Sequence, residues 1–291
     1  MPYSADLSSL FKKFRLAAVI FSVLSLIVTL PFTGLTYLID TGYKGQEMTG
    51  KTDLMFFGAL AASQGITTDG ENFYFSSKFG FLKTASDGKT WLDFNIDAIP
   101  KELKEKYGSS HIGGISWFDG NIFAAVEDTK NKLNPLCVVY DAETLDYSGT
   151  YFPLSSEKQI KGCPFVAVDG KRELFYSTQR DHAPCLICYD ITTGELVKTV
   201  ALTQTVHKIQ GGEVCDGMLY VASNDEAQGV YRIDPTTGDV VKLFDRRLVK
   251  GSEGEGITAL KRDGKILLYE IDMGPLFINA FLRSYTLPDI K

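Results

Sequence analysis

The chain has 291 residues, 44% hydrophobic and 23% charged, a balance that excludes a disordered or fibrous chain and leaves room for a sizeable core. Its 30 basic and 36 acidic side chains give a formal net charge of −6, which excludes the broadly basic surface that nucleic acid demands. Twenty-seven glycines and 12% aromatics point to many turns and strands.

The first 15 residues carry Lys12, Lys13 and Arg15. LAAVIFSVLSLIVTLPFTGLTYLI, residues 16–39, then runs for 24 residues without a charge, where about 20 helical residues cross a hydrocarbon core. Pro31 is tolerated in such a helix as a kink. The basic cluster on its N-terminal side predicts a single-pass anchor in the cell membrane, with residues 1–15 cytoplasmic and the rest extracytoplasmic. A cleaved signal peptide is the rival reading, but the run is long for one, and Ala59-Leu60-Ala61 lies too far downstream to serve as its cleavage site. A buried helix of a soluble domain is the third. Residues 40–52, polar and glycine-containing, read as a stalk, and residues 53–291 as the folded domain.

Asp-Gly recurs along that domain, at Asp69-Gly70, Asp119-Gly120, Asp169-Gly170, Asp216-Gly217 and Asp263-Gly264, with spacings of 50, 50, 47 and 47 residues. A period of this size marks a repeat architecture, and Asp-Gly between apolar runs marks a tight hairpin. Before each pair stands a short run with small residues, such as GGISWF and GGEVC; after it stands a denser one, such as NIFAAV and MLYVAS. Further on comes a second hairpin, clearest in LICYDITTGELVKTV and GVYRIDPTTGDVVKLF, and looser in CVVYDAETLDYSGTY. The unit is therefore four strands in about 45 residues, the size of a propeller blade. Small residues suit its first strand, because inner strands crowd around the axis.

The fold predicted is all-β, a five-bladed β-propeller behind an N-terminal transmembrane helix. The last unit lacks a fourth strand, and DLMFFGAL, Asp53 to Leu60, has no other partner. It is expected to complete that blade and close the ring. KELKEKYG, Lys101 to Gly108, is expected to form a short helix between blades. The five cysteines, with one isolated CxxC at Cys185 and Cys188, read as small buried apolar residues rather than a zinc set.

These repeats resemble those of the broad NHL, YVTN and quinoprotein-like propeller group, whose blades carry an outer hairpin similar to YRIDPTTGDVV; the likeness runs from about residue 53 to 288. SQGITTDGENFYFSS and GGISWFDGNIFAAV, with VYDAETLDYSG, also resemble the first two blades of the five-bladed plant-type glutaminyl cyclases. That resemblance implies cyclotransferase activity. The acidic residue that the family carries in its second blade aligns here with Gly113, while Glu255 of GEGIT stands in blade 5.

Ligand sites of such a ring gather on the face opposite the Asp-Gly turns, where loops from every blade converge. The segments around the inner strands offer Gln64, His111, His207, Gln210, Glu213 and Glu255 as candidate ligand-binding residues. The loops after the second strands add Glu127, Asp128, Arg180, Asp181, His182, Asn224, Asp225, Glu226 and Asp272. Glu253, Glu255 and Asp225 are the candidate metal ligands, since oxygen-rich groups suit a hard cation such as Ca²⁺. One of Glu253 and Glu255 is expected to face the axis. Solvated turns, capping and packing are the plain alternatives for each of these side chains. No DxDxDG loop, phosphate-cradling glycine loop or G-x-S-x-G is present, so no catalytic residue is assigned. Three readings of function stay open: a module binding a protein or carbohydrate ligand, an enzyme at the tunnel mouth (a metal-assisted hydrolase or lyase, or a cyclotransferase), and a docking subunit of a membrane complex.

Overall fold

The structure is a computed structural model, and it describes residues 40, 42–55 and 57–287. The predicted transmembrane segment, residues 16–39, lies outside the described residues. Among the described residues no helix is long and apolar enough to cross a membrane.

The compact unit begins at Tyr43, where the sequence placed the domain's start at Asp53. The Gln46 N–H donates to the Asp245 carbonyl at 3.2 Å and the Thr49 N–H to the Ser284 carbonyl at 2.8 Å, so this stretch lies along the domain. Strand β1 (Gly50–Met55) follows, then the short helix α1 (Phe57–Ala61). Blade 1 is β2 (Ile66–Thr68), β3 (Asn72–Ser76), β4 (Phe81–Ala85) and β5 (Trp91–Asn95). Helix α2 (Lys101–Tyr107) leads out of it and ends at Gly108, whose φ of +70° is the left-handed cap that glycine adopts without strain. Blade 2 is β6 (His111–Phe118), β7 (Asn121–Glu127), β8 (Leu136–Asp141) and β9 (Tyr147–Pro153). Blade 3 is β10 (Ala167–Asp169), β11 (Leu174–Ser177), β12 (His182–Asp190) and β13 (Leu196–His207). Blade 4 is β14 (Ile209–Cys215), β15 (Met218–Ser223), β16 (Gly229–Ile233) and β17 (Val240–Asp245). Blade 5 takes β18 (Glu253–Arg262), β19 (Lys265–Met273) and β20 (Asn279–Thr286) from the end of the chain and β1 from its start, in the order β1-β20-β19-β18. The predicted closing strand is thus present, shifted to Gly50–Met55, with its last part turned into α1.

Five four-stranded antiparallel sheets make the ring, and five apolar clusters fill the gaps between them. Phe73, Phe75 and Leu82 of blade 1 pack on Ile271 and Leu282 of blade 5, and every other neighbouring pair of blades shares a cluster of this kind. Burying both faces of each sheet is what replaces a single central core.

The turns explain the sequence period. Asp119-Gly120, Asp216-Gly217 and Asp263-Gly264 have positive φ at both residues, the two-residue turn that suits twisted hairpins. The other two Asp-Gly pairs open longer turns, where Asp69 and Asp169 accept hydrogen bonds from residues further on. In the outer hairpins one aspartate does the same work three times. Asp190 accepts from the N–H groups of Thr192 and Thr193 at 2.9 and 2.8 Å, and Asp141 and Asp234 do likewise in blades 2 and 4. Those N–H groups hold all three carboxyls below the usual carboxylate range. All five cysteines are free thiols; Cys137, Cys163 and Cys188 are buried, Cys185 and Cys215 half-buried.

Candidate functional site

The axis is lined by glycine because the inner strands nearly touch. A Cβ on Gly256 would lie 2.7 Å from Gly65 Cα, one on Gly211 2.7 Å from Gly256 Cα, and one on Gly113 2.8 Å from the Pro164 carbonyl. No side chain fits at Gly113 without a shift of that neighbouring backbone.

Four inner segments repeat one step. Gln64 and Thr67, Gly113 and Ser116, Gln210 and Glu213, and Glu255 and Thr258 each stand three residues apart. In an unbroken strand such pairs point to opposite faces. Here the pairing register shifts between Ile112 and Ile115, Ile209 and Gly211, and Gly254 and Ile257, and β2 starts only at Ile66. These bulges turn both members of a pair toward the axis. Two layers result: a deep one at Thr67, Ser116, Glu213 and Thr258, and a mouth one nearer the loops.

The deep layer is closed by a single carboxyl. Glu213 accepts from Thr67 Oγ1 at 2.6 Å, Ser116 Oγ at 2.7 Å and Thr258 Oγ1 at 3.3 Å, which come from blades 1, 2 and 5. Ser116 Oγ in turn accepts from the Val168 N–H of blade 3 at 3.1 Å. All five blades therefore meet in one hydrogen-bonded knot that fills the axis. Burial pushes the Glu213 carboxyl up to about 7 against the opposing pull of these donors.

The mouth layer is polar and unevenly satisfied. His111 Nε2 is 2.7 Å from Gln64 Oε1, and His111 Nδ1 lies 3.7 Å from Glu127 Oε1. Glu127 is buried, and it also meets Arg180 Nη2 at 2.7 Å, Lys132 Nζ at 2.8 Å and the Cys163 N–H at 3.1 Å. Arg180 Nη1 continues the chain to Gln210 Oε1 at 3.2 Å. Burial, helped by the charges of Arg180 and Lys132, depresses the His111 pKa to about 4 despite the Glu127 carboxylate, so the ring is neutral at pH 7.

Glu255 is the exception. Only 5% of the residue is exposed, and among the described residues no donor hydrogen-bonds its carboxyl, unlike those of Glu213 and Glu127. Burial first, then the neighbouring Glu253 carboxylate, raises its pKa well above the usual range, against the pull of Arg180 and Arg246. Glu253 is exposed, so the expectation that one of the two faces inward holds, with Glu255 as the inward one.

Behind Glu255 sits a buried ionic cluster. Arg246 meets Asp272 and lies with its Nε 2.9 Å from Glu270 Oε2, while Arg283 Nε donates to Asp272 Oδ2 at 2.8 Å. The Glu270 oxygens make an ion-pair contact without an aligned hydrogen bond, and burial raises the Glu270 pKa. Arg246 also donates to the Ser223 carbonyl at 2.7 Å, fixing it beside Gly254.

The predicted site residues thus divide. Gln64, His111, Gln210 and Glu255 belong to the mouth, and Glu213 to the deep knot. His207 does not join them. It ends the outer strand β13, one residue before the positive-φ Lys208, and lies exposed with its ring 4.8 Å from that of His182. The metal set is not gathered. Asp225 Oδ1 accepts from the Ala227 and Gly229 N–H groups at 3.0 and 3.2 Å and its Oδ2 from Tyr231 at 3.2 Å, so it caps its own loop. Among the described residues no group of three or more His, Cys, Asp or Glu side chains is placed to hold a metal ion. Glu127 and Arg180 were visible as members of converging loops, but nothing in the sequence marked them as the centre of the mouth. Arg246 and Glu270 carry no sequence signal, since the first directly follows an ordinary-looking outer strand and the second lies in an ordinary-looking second strand.

A ring of five such sheets around a sealed axis, with a polar cup on one face, is a β-propeller built from repeats. Residues 114–256, from the inner strand of blade 2 to the opening of blade 5, match the family described as "Repeat of unknown function (DUF6923)". No curated protein matches the chain.

Proposed function

We propose that the chain is a membrane-anchored, extracytoplasmic binding module, with residues 16–39 as the anchor and the cup above Glu213 as its ligand site. The observation that carries the binding reading is Glu255, only 5% exposed, whose carboxyl meets no hydrogen-bond donor among the described residues, while Glu127 in the same mouth is held by Arg180 and Lys132. Such a group is stabilised by a donor arriving from outside. An ammonium or guanidinium group of a protein or carbohydrate ligand supplies it, ionises Glu255 and offsets its burial. Gln64 and Gln210 flank the same space with amide groups. The resemblance read in the sequence to the NHL, YVTN and quinoprotein-like group would agree with a ligand held at a ring mouth, and fold alone assigns no chemistry.

An enzyme at the same mouth is the second reading. It is favoured by Glu255 lying in the layer that Gly113 occupies in blade 2, with the neutral imidazole of His111 across the cup. A glutaminyl-cyclase-like turnover of an N-terminal glutamine peptide, abolished in Glu255→Gln, would select it over simple binding.

The test is a thermal melt of the full chain in detergent with glucosamine, arginine methyl ester or calcium chloride. A ligand at about one hundred times its dissociation constant adds roughly 2.7 kcal/mol, a shift of several degrees. The amine or guanidine compounds should raise Tm in the wild type and leave Glu255→Gln unmoved. An equal shift in the variant, or a shift with calcium alone, would contradict the assignment.

A further inference from the structure

The outer strand of blade 1 differs from its counterparts. In β5 the exposed positions are Trp91, Leu92, Asp93 and Phe94; β13 also exposes Leu196 and Val197 and β17 exposes Val241, but among the described outer strands only β5 exposes aromatic rings. Beyond β5, Ile96 is 79% exposed. Leu60 of α1, 67% exposed, and Phe79 of the β3–β4 turn stand on the same patch. With Trp91, Phe94 and Ile96 they line a shallow apolar cavity of about 770 Å³. The Trp91 and Phe94 ring centroids lie 6.0 Å apart with the rings tilted at 58°, and Lys78 Nζ lies 5.2 Å from the Phe79 ring at the rim. A contiguous apolar surface of this kind marks an interaction site rather than ordinary exposure.

The geometry points to the bilayer surface as what covers it. The inference rests on the reading of residues 16–39 as a membrane anchor. That uncharged run ends at residue 39 and the compact unit begins at Tyr43, so few residues of chain separate the two. The chemistry fits as well. Indole and phenyl rings favour the headgroup boundary, and a lysine at the rim reaches the lipid phosphates along its apolar stem. Blade 1 then lies against the membrane like a keel.

Trp91 is a built-in probe, because the chain has two tryptophans and Trp117 is packed against the blade 1–blade 2 cluster. The full chain is reconstituted into phosphatidylcholine–phosphatidylglycerol vesicles, and flotation is scored first. Emission is then recorded for the wild type and for Trp117→Phe and Trp91→Phe, with brominated lipid and with acrylamide as quenchers. The expected result is flotation, a blue-shifted Trp91 emission lost to brominated lipid and protected from acrylamide, and indifference of the remaining emission in Trp91→Phe to brominated lipid. Trp91→Phe changes an exposed ring, so the wild-type-minus-Trp91→Phe difference gives the answer even where Trp117→Phe fails to fold. Flotation with Trp91 open to acrylamide and indifferent to brominated lipid overturns the patch assignment and leaves the anchor standing. Failure to float overturns both.

Discussion

Glu213 and Glu255 lie one layer apart on the inner strands of neighbouring blades, and both are buried. Glu213 receives hydroxyl donors from three other blades. Among the described residues Glu255 receives none. The first is a structural staple at the axis, and the second has no such support from the strands described. Burial of a carboxyl therefore does not by itself identify a functional group; the distinction lies in whether the surrounding strands satisfy it.

The largest effect should come from Glu213→Ala. It strands three buried hydroxyls at the point where the blades meet, each costing about 1–3 kcal/mol, so a loss of roughly 3 kcal/mol or more is expected in chemical denaturation. Glu213→Gln keeps the volume and one acceptor oxygen and should lose roughly a third of that, since hydrogen bonds to a neutral group are the weaker kind. Glu255→Gln should behave in the opposite way. It removes a carboxyl whose ionised form burial and the Glu253 charge disfavour, so the denaturation midpoint should hold or rise while ligand binding is lost. A large destabilisation there would erase the contrast between the two residues.

The pH dependence sharpens the same comparison. Glu213 has a folded pKa of about 7 against an ordinary 4.5, so the folded state holds its proton more tightly and the stability from this group falls as pH rises through that interval. Measured as wild type minus Glu213→Gln, the difference should favour the wild type more at pH 5 than at pH 8. His111 has the opposite sign. Its pKa drops from 6.5 to about 4, so the unfolded state takes the proton first and stability is lost as pH falls through that window. Wild type minus His111→Gln should therefore favour the wild type more at pH 8 than at pH 5. Matching slopes in the two difference curves would contradict the burial assignments. The smallest effect belongs to Glu253→Gln. This exposed change should alter stability by no more than about 0.5 kcal/mol, while lowering the Glu255 pKa by removing a neighbouring negative charge.

The fold was legible in the chain because its turns are chemical. Asp-Gly, where the backbone needs positive φ or a side-chain acceptor, recurs at the first hairpin of every blade, and an aspartate that caps the outer hairpin recurs in blades 2, 3 and 4. The crowding of Gly65, Gly211 and Gly256 was visible as small residues in the first strand of each unit. The closing strand followed from a blade left one strand short. The site was less legible, for a local reason. Bulges at Gly113–Gly114, Gln210 and Glu255–Gly256 change which side chains face the axis, and alternation alone does not foresee them. They let Glu213 and Glu255 share one axis in different roles. His207 looked like an inner-strand residue because the turn at Lys208 carries no glycine. Asp225 looked like a cation ligand because its use as a loop cap depends on N–H groups that composition does not display.

The most direct test is a carbon NMR titration of the full chain with ¹³C-labelled glutamate side chains, the Glu255 signal being assigned by its absence in Glu255→Gln. The carboxyl should titrate well above the ordinary glutamate range in the free protein and drop into it when arginine methyl ester or glucosamine is added. A Glu255 signal that titrates in the ordinary range without ligand, or that ignores both compounds, would contradict its role as the open acceptor of the mouth.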